Sequence, residues 1–521
     1  MTTGSATEIA LPATEAACPS ATEQESSALY RQILKSSALI GTSSLMNVVV
    51  GIARTKILAV LLGPASFGVM GAYTSLVDLG RTLAQLGVNA SGVRQISQSA
   101  ALGDDTRTAR TYAAVRRVAF ATAILGALMF LLFAPGIAQL TFGSSAQRGD
   151  VALLGLAIFF GVVAGGQGAL LQGMRRISDL AGLGFFGALA GSVATVCLVY
   201  AFKEAALAMS LVAAGAASAF VGWIYTRRVV LPPARLTAAE TVSEASALLK
   251  LGLAFMGSGL LTLGAAYLVR IVVLRDAGLE AAGFYQAAWT LGGLYVTFIL
   301  QAMGADFYPL LVSRITQREE ANRLVNQQTK VSLLLAGPGV IATLALAPIV
   351  VQVLYSAKFG GAVETLRWIC LGMALRVITW PIGYIVVAHG RQTLFFGTEL
   401  AWSVFNVGAT LACVKAFGVA GAGIAFFASY VFHGLMIYPI VRHVSGFRWS
   451  ADNLKLGGAL VVFAGATFAL TRALPIIAGT ALGAVLCAGW TLYSVRELAA
   501  AADSMRVPAA VARLLKIRRS A

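Results

Sequence analysis

Arginines and a few carboxylates interrupt segments that are otherwise long and apolar enough to cross a bilayer. A charge near the centre of a membrane helix costs about 2.5–3.5 kcal/mol on insertion scales, so each implies a partner, water or a ligand. Segment 33–62 carries Asn47, Gly51 and Arg54 at i, i+4 and i+7, one helical face, with Lys56 turned to another. Segment 66–92 carries Thr74, Asp78, Arg81, Gln85 and Asn89 as a single polar stripe. Segment 250–274 holds Ser258, Thr262 and Arg270. Segment 364–388 holds Arg367 near its outer end, then Arg376 with Trp380 and Gly383 on its face, and Pro381 as a kink. Guanidinium forks match phosphate oxygens. Cations from three helices therefore predict a water-filled cavity with a positive wall and an anionic substrate. The carboxylates Asp78, Asp306 and Glu399 are the candidates for exchanging a coupling cation. Plainer alternatives stay open: Asp78 and Arg81, at i, i+3, form a private ion pair, and Arg367 and Lys56 snorkel.

The aromatics Trp289, Tyr295, Trp368, Trp380, Tyr384 and Trp402 lie mostly in the second half. Interface belts and helix packing account for such residues in general; stacking on sugar rings is the sharper alternative.

No enzyme signature stands out, so no catalytic residue, metal site or cofactor is predicted. His389, His433 and His443 lack ligand spacing, and there is no phosphate-binding Walker loop. Cys18, Cys197, Cys370, Cys413 and Cys487 are scattered and read as small hydrophobes. Loops on the outer side are short, which argues against an extramembrane active site.

These residues must be carried by helices. The chain is 58% hydrophobic and 12% charged, with mean hydropathy +0.80; a soluble chain is about a quarter charged. In lipid the backbone must satisfy its own hydrogen bonds, and no alternating strand pattern dominates. The fold class is thus all-α and polytopic. Fourteen transmembrane helices are predicted, over 33–62, 66–92, 112–139, 151–173, 178–202, 205–226, 250–274, 280–309, 331–355, 364–388, 392–414, 419–441, 456–473 and 476–496. With the N-terminus cytoplasmic, 27 of the 39 Lys and Arg fall on the cytoplasmic side. Six (Arg148, Lys203, Arg275, Lys358, Lys415 and Arg472) fall opposite. That bias predicts both termini inside. The net charge of +17 therefore reads as a topology signal and an attraction to anionic membrane lipids, not to nucleic acid.

The chain also repeats itself. Gly63, Gly68 and Ala72 match Gly278, Gly283 and Ala287 at an offset of 215, and Gly173 matches Gly390 at 217. Six helices between copies give both the same orientation. This predicts two parallel-repeat six-helix lobes around a central cavity, related by a pseudo-twofold along the membrane normal. The expected division is a disordered cytoplasmic tail at 1–28, a first lobe at 29–230 and a cytoplasmic linker at 231–249. A second lobe follows at 250–445, then two additional helices at 446–498 and a basic amphipathic tail at 499–521.

The stretch from Ser43 to Ile96 includes Asn47, Gly51, Arg54, Lys56, Leu62-Gly63-Pro64, Phe67-Gly68, Tyr73, Leu86-Gly87 and Ser91-Gly92-Val93-Arg94. It resembles the opening of bacterial O-antigen translocases of the polysaccharide transporter group, in the multidrug/oligosaccharidyl-lipid/polysaccharide exporter superfamily. Ser356-Ala357-Lys358-Phe359, Leu366-Arg367-Trp368, Gly390-Arg391, Glu399-Leu400 and Phe417-Gly418-Val419-Ala420-Gly421 resemble that group's later segments. The resemblance covers roughly residues 30–450. It implies a bacterial inner-membrane flippase for an undecaprenyl-diphosphate-linked oligosaccharide, an O-antigen or exopolysaccharide repeat unit. The partners implied are that lipid-linked oligosaccharide, a polysaccharide polymerase and glycosyltransferases. It further implies that Arg54, Arg81 and Arg270 hold the diphosphate, and Asn47, Gln85 and Arg376 join them as candidate substrate-binding residues. Many relatives have twelve helices, and the last two here depart from that. Three rival readings remain: a peptidoglycan-precursor flippase, a multidrug/cation antiporter of the same superfamily, and a non-transporting scaffold of a glycan assembly complex.

Overall fold

The computed structural model describes residues 21–234 and 237–504, and every regular element among them is helical. The order is α1 (Ala21–Gln85), α2 (Val88–Ala101), α3 (Asp105–Phe142), α4 (Arg148–Gly173), α5 (Ile177–Phe202) and α6 (Leu207–Thr226). Then come α7 (Ala238–Ala277), α8 (Leu279–Arg314), α9 (Arg318–Ala345) and α10 (Ala347–Leu354). The rest are α11 (Ala362–Ala388), α12 (Gln392–Phe417), α13 (Val419–Ser445), α14 (Ala451–Ala473) and α15 (Ile476–Ser504). Among the described residues, nine helical stretches are long and apolar enough to cross a membrane, ten if α9 and α10, bent by 82°, form one span. Ser43–Gln85 and Ile177–Thr226 are each single stretches in that number. Large apolar side chains such as Leu132, Leu435, Val462, Ile477 and Val485 point outward, where a soluble protein would place charge.

Several boundaries differ from the expected ones. α1 begins at Ala21, so the last residues of the expected 1–28 tail are helical: Ala, Glu and Gln there favour helix. Residues 1–20 lie outside the described residues, as does the basic segment 505–521. α7 begins at Ala238, inside the expected 231–249 linker. Thr237 caps it by accepting from the Glu240 N–H, while Glu240 accepts from the Thr237 N–H. α2 was not foreseen as a separate helix; Gly87, at φ 69°, turns the chain out of α1 into it.

Two lobes repeat one another. α1 packs on α5, α4 on α6 and α5 on α6; α7 packs on α12, α11 on α13 and α12 on α13. The backbone carries the same register. α1 breaks at Gly63 (φ 73°, ψ 178°) before Pro64, and α7 gives way to α8 at Gly278 (φ 94°, ψ 174°). Both positions need positive φ, which glycine supplies without steric cost. Arg175 (φ 53°) pairs with Gly390 (φ 69°), Arg176 (ψ 68°) with Arg391 (ψ 67°), and Lys203 (ψ −126°) with Gly418 (ψ −143°), each at offset 215. The second offset read from sequence, 217, is therefore corrected to 215, and Gly173 corresponds to Ala388. The glycine match misled because the first lobe places Arg175 in the left-handed turn that Gly390 occupies in the second.

The lobes meet at both ends of the bundle. At the end remote from the basic loops, the repeat-related Gly68 and Gly283 pack face to face, bringing Gly68 onto the Leu279 carbonyl and Gly283 onto the Pro64 carbonyl. There Lys56 Nζ donates to the Tyr355 carbonyl at 2.6 Å and Thr141 Oγ1 lies 2.6 Å from Tyr267 Oη. At the basic end Gly87 abuts Gly252, Arg110 pairs with Glu240, and Arg117 Nη1 donates to Thr241 Oγ1 at 2.6 Å. α14 and α15 pack on α9, where Lys330 pairs with Glu497 at 3.0 Å.

Candidate functional site

The first lobe places its polar stripes against its own glycines. Asn47 Nδ2 reaches toward Gly184 on α5, and the Asn47 side-chain Oδ1 is buried without a hydrogen-bond partner. The Arg54 Nε is likewise buried and unpartnered. A buried orphan donor on a cation is costly, so this atom is suited to an anionic acceptor. The Arg81 stem lies over Gly161 on α4, and Gln85 Nε2 lies over Gly165. Those glycines are what let long polar side chains lie flat between two helices.

Asp78 and Arg81 do form the i, i+3 contact, with Nη2 to Oδ1 at 3.7 Å. Their side chains remain 44% and 46% exposed, so the pair is not sealed. Asp78 also feels the charge of Arg270, on α7 of the other lobe. Arg270 is held by its own lobe: its Nε donates to Gln286 Oε1 at 3.1 Å and its Nη1 to the Ala266 carbonyl at 3.2 Å. Gln286 in turn packs on Gly71 of α1. The structure thus brings Asp78, Arg81 and Arg270 to one cross-lobe cluster. Gln286, the residue that positions Arg270, was missed; its only sequence signal is a polar side chain two turns after a helix start.

Gln85 lines a cavity of about 450 Å³ between the lobes, with Thr82, Asn89, Gln172 and Gly259. Gly259 also borders a larger cavity of about 640 Å³ inside the second lobe, which contains Arg376 and Glu399. Arg54, Arg81, Arg270, Asn47 and Asp78 do not line that larger cavity. Its walls come from α7, α8, α11, α12 and α13 and carry eight Phe, Trp and Tyr side chains. Of the six aromatics read from sequence, Trp289, Trp380, Tyr384 and Trp402 line it. Trp368 instead meets Phe468 edge to face and donates to Glu364, and Tyr295 donates to the Leu335 carbonyl. His433, Phe426 and Tyr430, which sequence spacing did not single out, complete the wall. The Asp306 side chain lies outside the described residues. Arg367 is buried beside Glu364 of its own helix rather than snorkelling, and Glu364 in turn ties α11 to α14 through Arg472 at 3.4 Å.

At offset 215, Arg81 corresponds to Val296 and Gln85 to Leu300, while Gly161 corresponds to Arg376 and Gly165 to Trp380. Each lobe therefore sets one arginine at the same level, but from opposite partners of the repeated helix pair.

The family model described as polysaccharide biosynthesis protein matches residues 57–364. The lipid III flippases of Escherichia coli (strain K12) and Shigella flexneri are each 24% identical over 406 residues, covering 77% of this chain and 95% of theirs. A solved structure of the lipid II flippase MurJ in an inward-closed conformation superposes with TM-score 0.65 at 14% identity, over 88% of this chain and 99% of that one. An inward-facing multidrug transporter of the MATE family and MOP superfamily gives TM-score 0.61 at 16% identity, over 79% and 99%. These likenesses show the fold: a polytopic helical bundle.

Proposed function

This chain belongs to the family of polysaccharide biosynthesis proteins, and we propose that it is a flippase for an undecaprenyl-diphosphate-linked oligosaccharide. The cargo is an O-antigen or exopolysaccharide repeat unit, carried across the bacterial inner membrane by alternating access of the two lobes. The observation that carries this reading is the cross-lobe cluster of Asp78, Arg81 and Arg270; the unpartnered Arg54 Nε, earlier on α1, supplies a further buried donor. Cations contributed by both lobes suit a diphosphate, because guanidinium groups neutralise phosphate oxygens and offer paired donors. Asn47 and Gln85 supply neutral polar contacts along the same stripes, and Arg376 a further cation in the second lobe. The polyprenyl chain stays in lipid while the head group enters between the lobes.

The kinship to lipid III flippases, over nearly their whole length, supports a lipid-linked cargo. A multidrug antiporter would favour carboxylates where this chain places arginines. In this reading a coupling cation exchanges at Asp78, Asp306 or Glu399. Both termini face the cytoplasm, residues 29–230 and 250–445 form the rocking lobes, and the polymerase and glycosyltransferases act on either side. The test is complementation of surface glycan in a deletion strain, with membrane abundance measured alongside. An Arg54→Ala, Arg81→Ala double variant should insert normally and lose nearly all export; the double Lys variant should retain part of it. Wild-type export by an abundant double Ala variant would refute the reading.

A further inference from the structure

The cavity of about 640 Å³ lies wholly inside the second lobe, and the first lobe has a different filling at the same places. At offset 215 its residues Arg376, Trp380, Glu399, Trp402 and Asn406 correspond to Gly161, Gly165, Gly184, Gly187 and Gly191. In the first lobe those glycines are covered by neighbours: Gly161 by Arg81, Gly165 by Gln85, Gly187 by Ser218 and Gly191 by Ala214. The second lobe puts bulk on α11 and α12 instead, and a chamber is present among those helices.

The chamber wall is a run of rings in contact. Trp289 meets Phe426 at 5.2 Å, Phe426 meets Tyr430 at 5.0 Å, and Tyr430 meets Trp402 at 5.7 Å. Trp380 and Tyr384, 4.6 Å apart, form a second patch. Into this apolar wall are set Arg376, Glu399 and His433. The Arg376 guanidinium makes no hydrogen bond or ion pair with a described residue, though it feels the charge of Glu399. Two further polar atoms, Trp402 Nε1 and His433 Nδ1, are buried without a hydrogen-bond partner. Buried polar atoms are ordinarily paired, so these indicate a bound polar group. An aromatic cavity of this volume with a few convergent polar atoms has the form of a small-molecule site.

We infer that this second-lobe chamber is a saccharide-binding subsite. A pyranose ring has an apolar C–H face and a polar rim of hydroxyls. The aromatic wall matches the face, and Trp402 Nε1, His433, Arg376 and Glu399 match the rim. The inference rests on the flippase reading above and extends it: the lipid diphosphate is held at the boundary between the lobes and the glycan inside the second lobe. Arginines at the lobe boundary take the charge, and second-lobe aromatics take the sugar.

The experiment uses the full-length protein in lipid nanodiscs and two probes. One is bare undecaprenyl diphosphate. The other is the lipid-linked repeat unit extracted from the host strain deleted for the gene. Wild type should bind both, the glycosylated lipid about tenfold more tightly. Trp402→Ala and Trp380→Ala should bring the glycosylated lipid down to the affinity of the bare one and leave the bare one within about twofold of wild type. Trp402→Phe keeps a ring but removes the Nε1 donor, so it should fall between, and it serves if the Ala variants do not fold. If wild type binds both but the tryptophan variants weaken both equally, or neither, the chamber is not a sugar subsite while the flippase reading survives. If the tryptophan variants keep both lipids but lose binding of tetraphenylphosphonium, a phenyl-bearing cation used as a third, control probe, the chamber takes cations and the inference is overturned. If wild type binds neither lipid, both readings fall together.

Discussion

Replacing Gly68 with alanine should unlatch the two lobes at the end remote from the basic loops. A Cβ at Gly68 would lie 2.5 Å from the Leu279 carbonyl oxygen and 2.7 Å from the Gly283 nitrogen, where ordinary contact begins at 3.4 Å. Both are backbone atoms of α8, so neither can rotate aside. The helices must separate by about 1 Å, and overpacking of this kind typically costs about 1–3 kcal/mol. That cost falls only on the arrangement in which α1 and α8 touch. An arrangement with this end open is spared it, so the equilibrium should shift toward that state by about 5- to 150-fold. Gly283→Ala should act in the same direction, because its Cβ meets the Pro64 carbonyl. The assay is electron–electron distance measurement between spin labels on Ser145 and Ala357, which flank this end on opposite lobes. Variants should gain a population of longer distances. An unchanged distribution in a folded, abundant Gly68→Ala, Gly283→Ala double variant would refute the argument that these glycines set the closed contact.

Further outcomes follow from single contacts. The Tyr73 hydroxyl is buried and donates to Asp150 Oδ2 at 2.7 Å, so Tyr73→Phe should destabilise the first lobe by about 1.5–3 kcal/mol, read as a lower thermal midpoint in detergent. At the basic end, hydrogen bonds from the Thr237 N–H and hydroxyl, together with the Arg110 guanidinium, hold the Glu240 carboxyl below its ordinary 4.5. A lowered folded value means its contribution is full above the ordinary value and is lost as pH falls through the lowered one. Proteolysis of the 227–237 segment should therefore accelerate on acidification below 4.5, and Glu240→Gln should remove that dependence. Cytoplasmic reporters fused at Ala521 should be active and periplasmic ones silent; the reverse would remove the even number of crossings.

The sequence alone determined the helices and much of their order. The expected segments lie largely on helix, because a span in lipid leaves its backbone no other way to pair its N–H and C=O groups. But 66–92 breaks at Gly87 and 331–355 at Leu346, and nine or ten stretches among the described residues, not fourteen, are long and apolar enough to cross. The repeat was also legible at Gly63 and Gly278, since positive φ at a helix break is a local demand that glycine announces. Where an arginine met that demand, at Arg175, the sequence register slipped by two residues. The stripe on 33–62, and that on 66–92 as far as Gln85, were readable from helical periodicity; Asn89 lies beyond the turn at Gly87, on α2. What faces them was not: that Arg270 stands near Asp78 depends on how two lobes about 200 residues apart in sequence dock. The chamber was still further from reach. Trp289, Arg376, Trp402 and His433 come from α8, α11, α12 and α13, and only the packing of those helices makes them one wall. A helix fixes which residues share its own face, because that depends on 3.6 residues per turn; which faces meet depends on contacts between distant segments, and those belong to the tertiary structure.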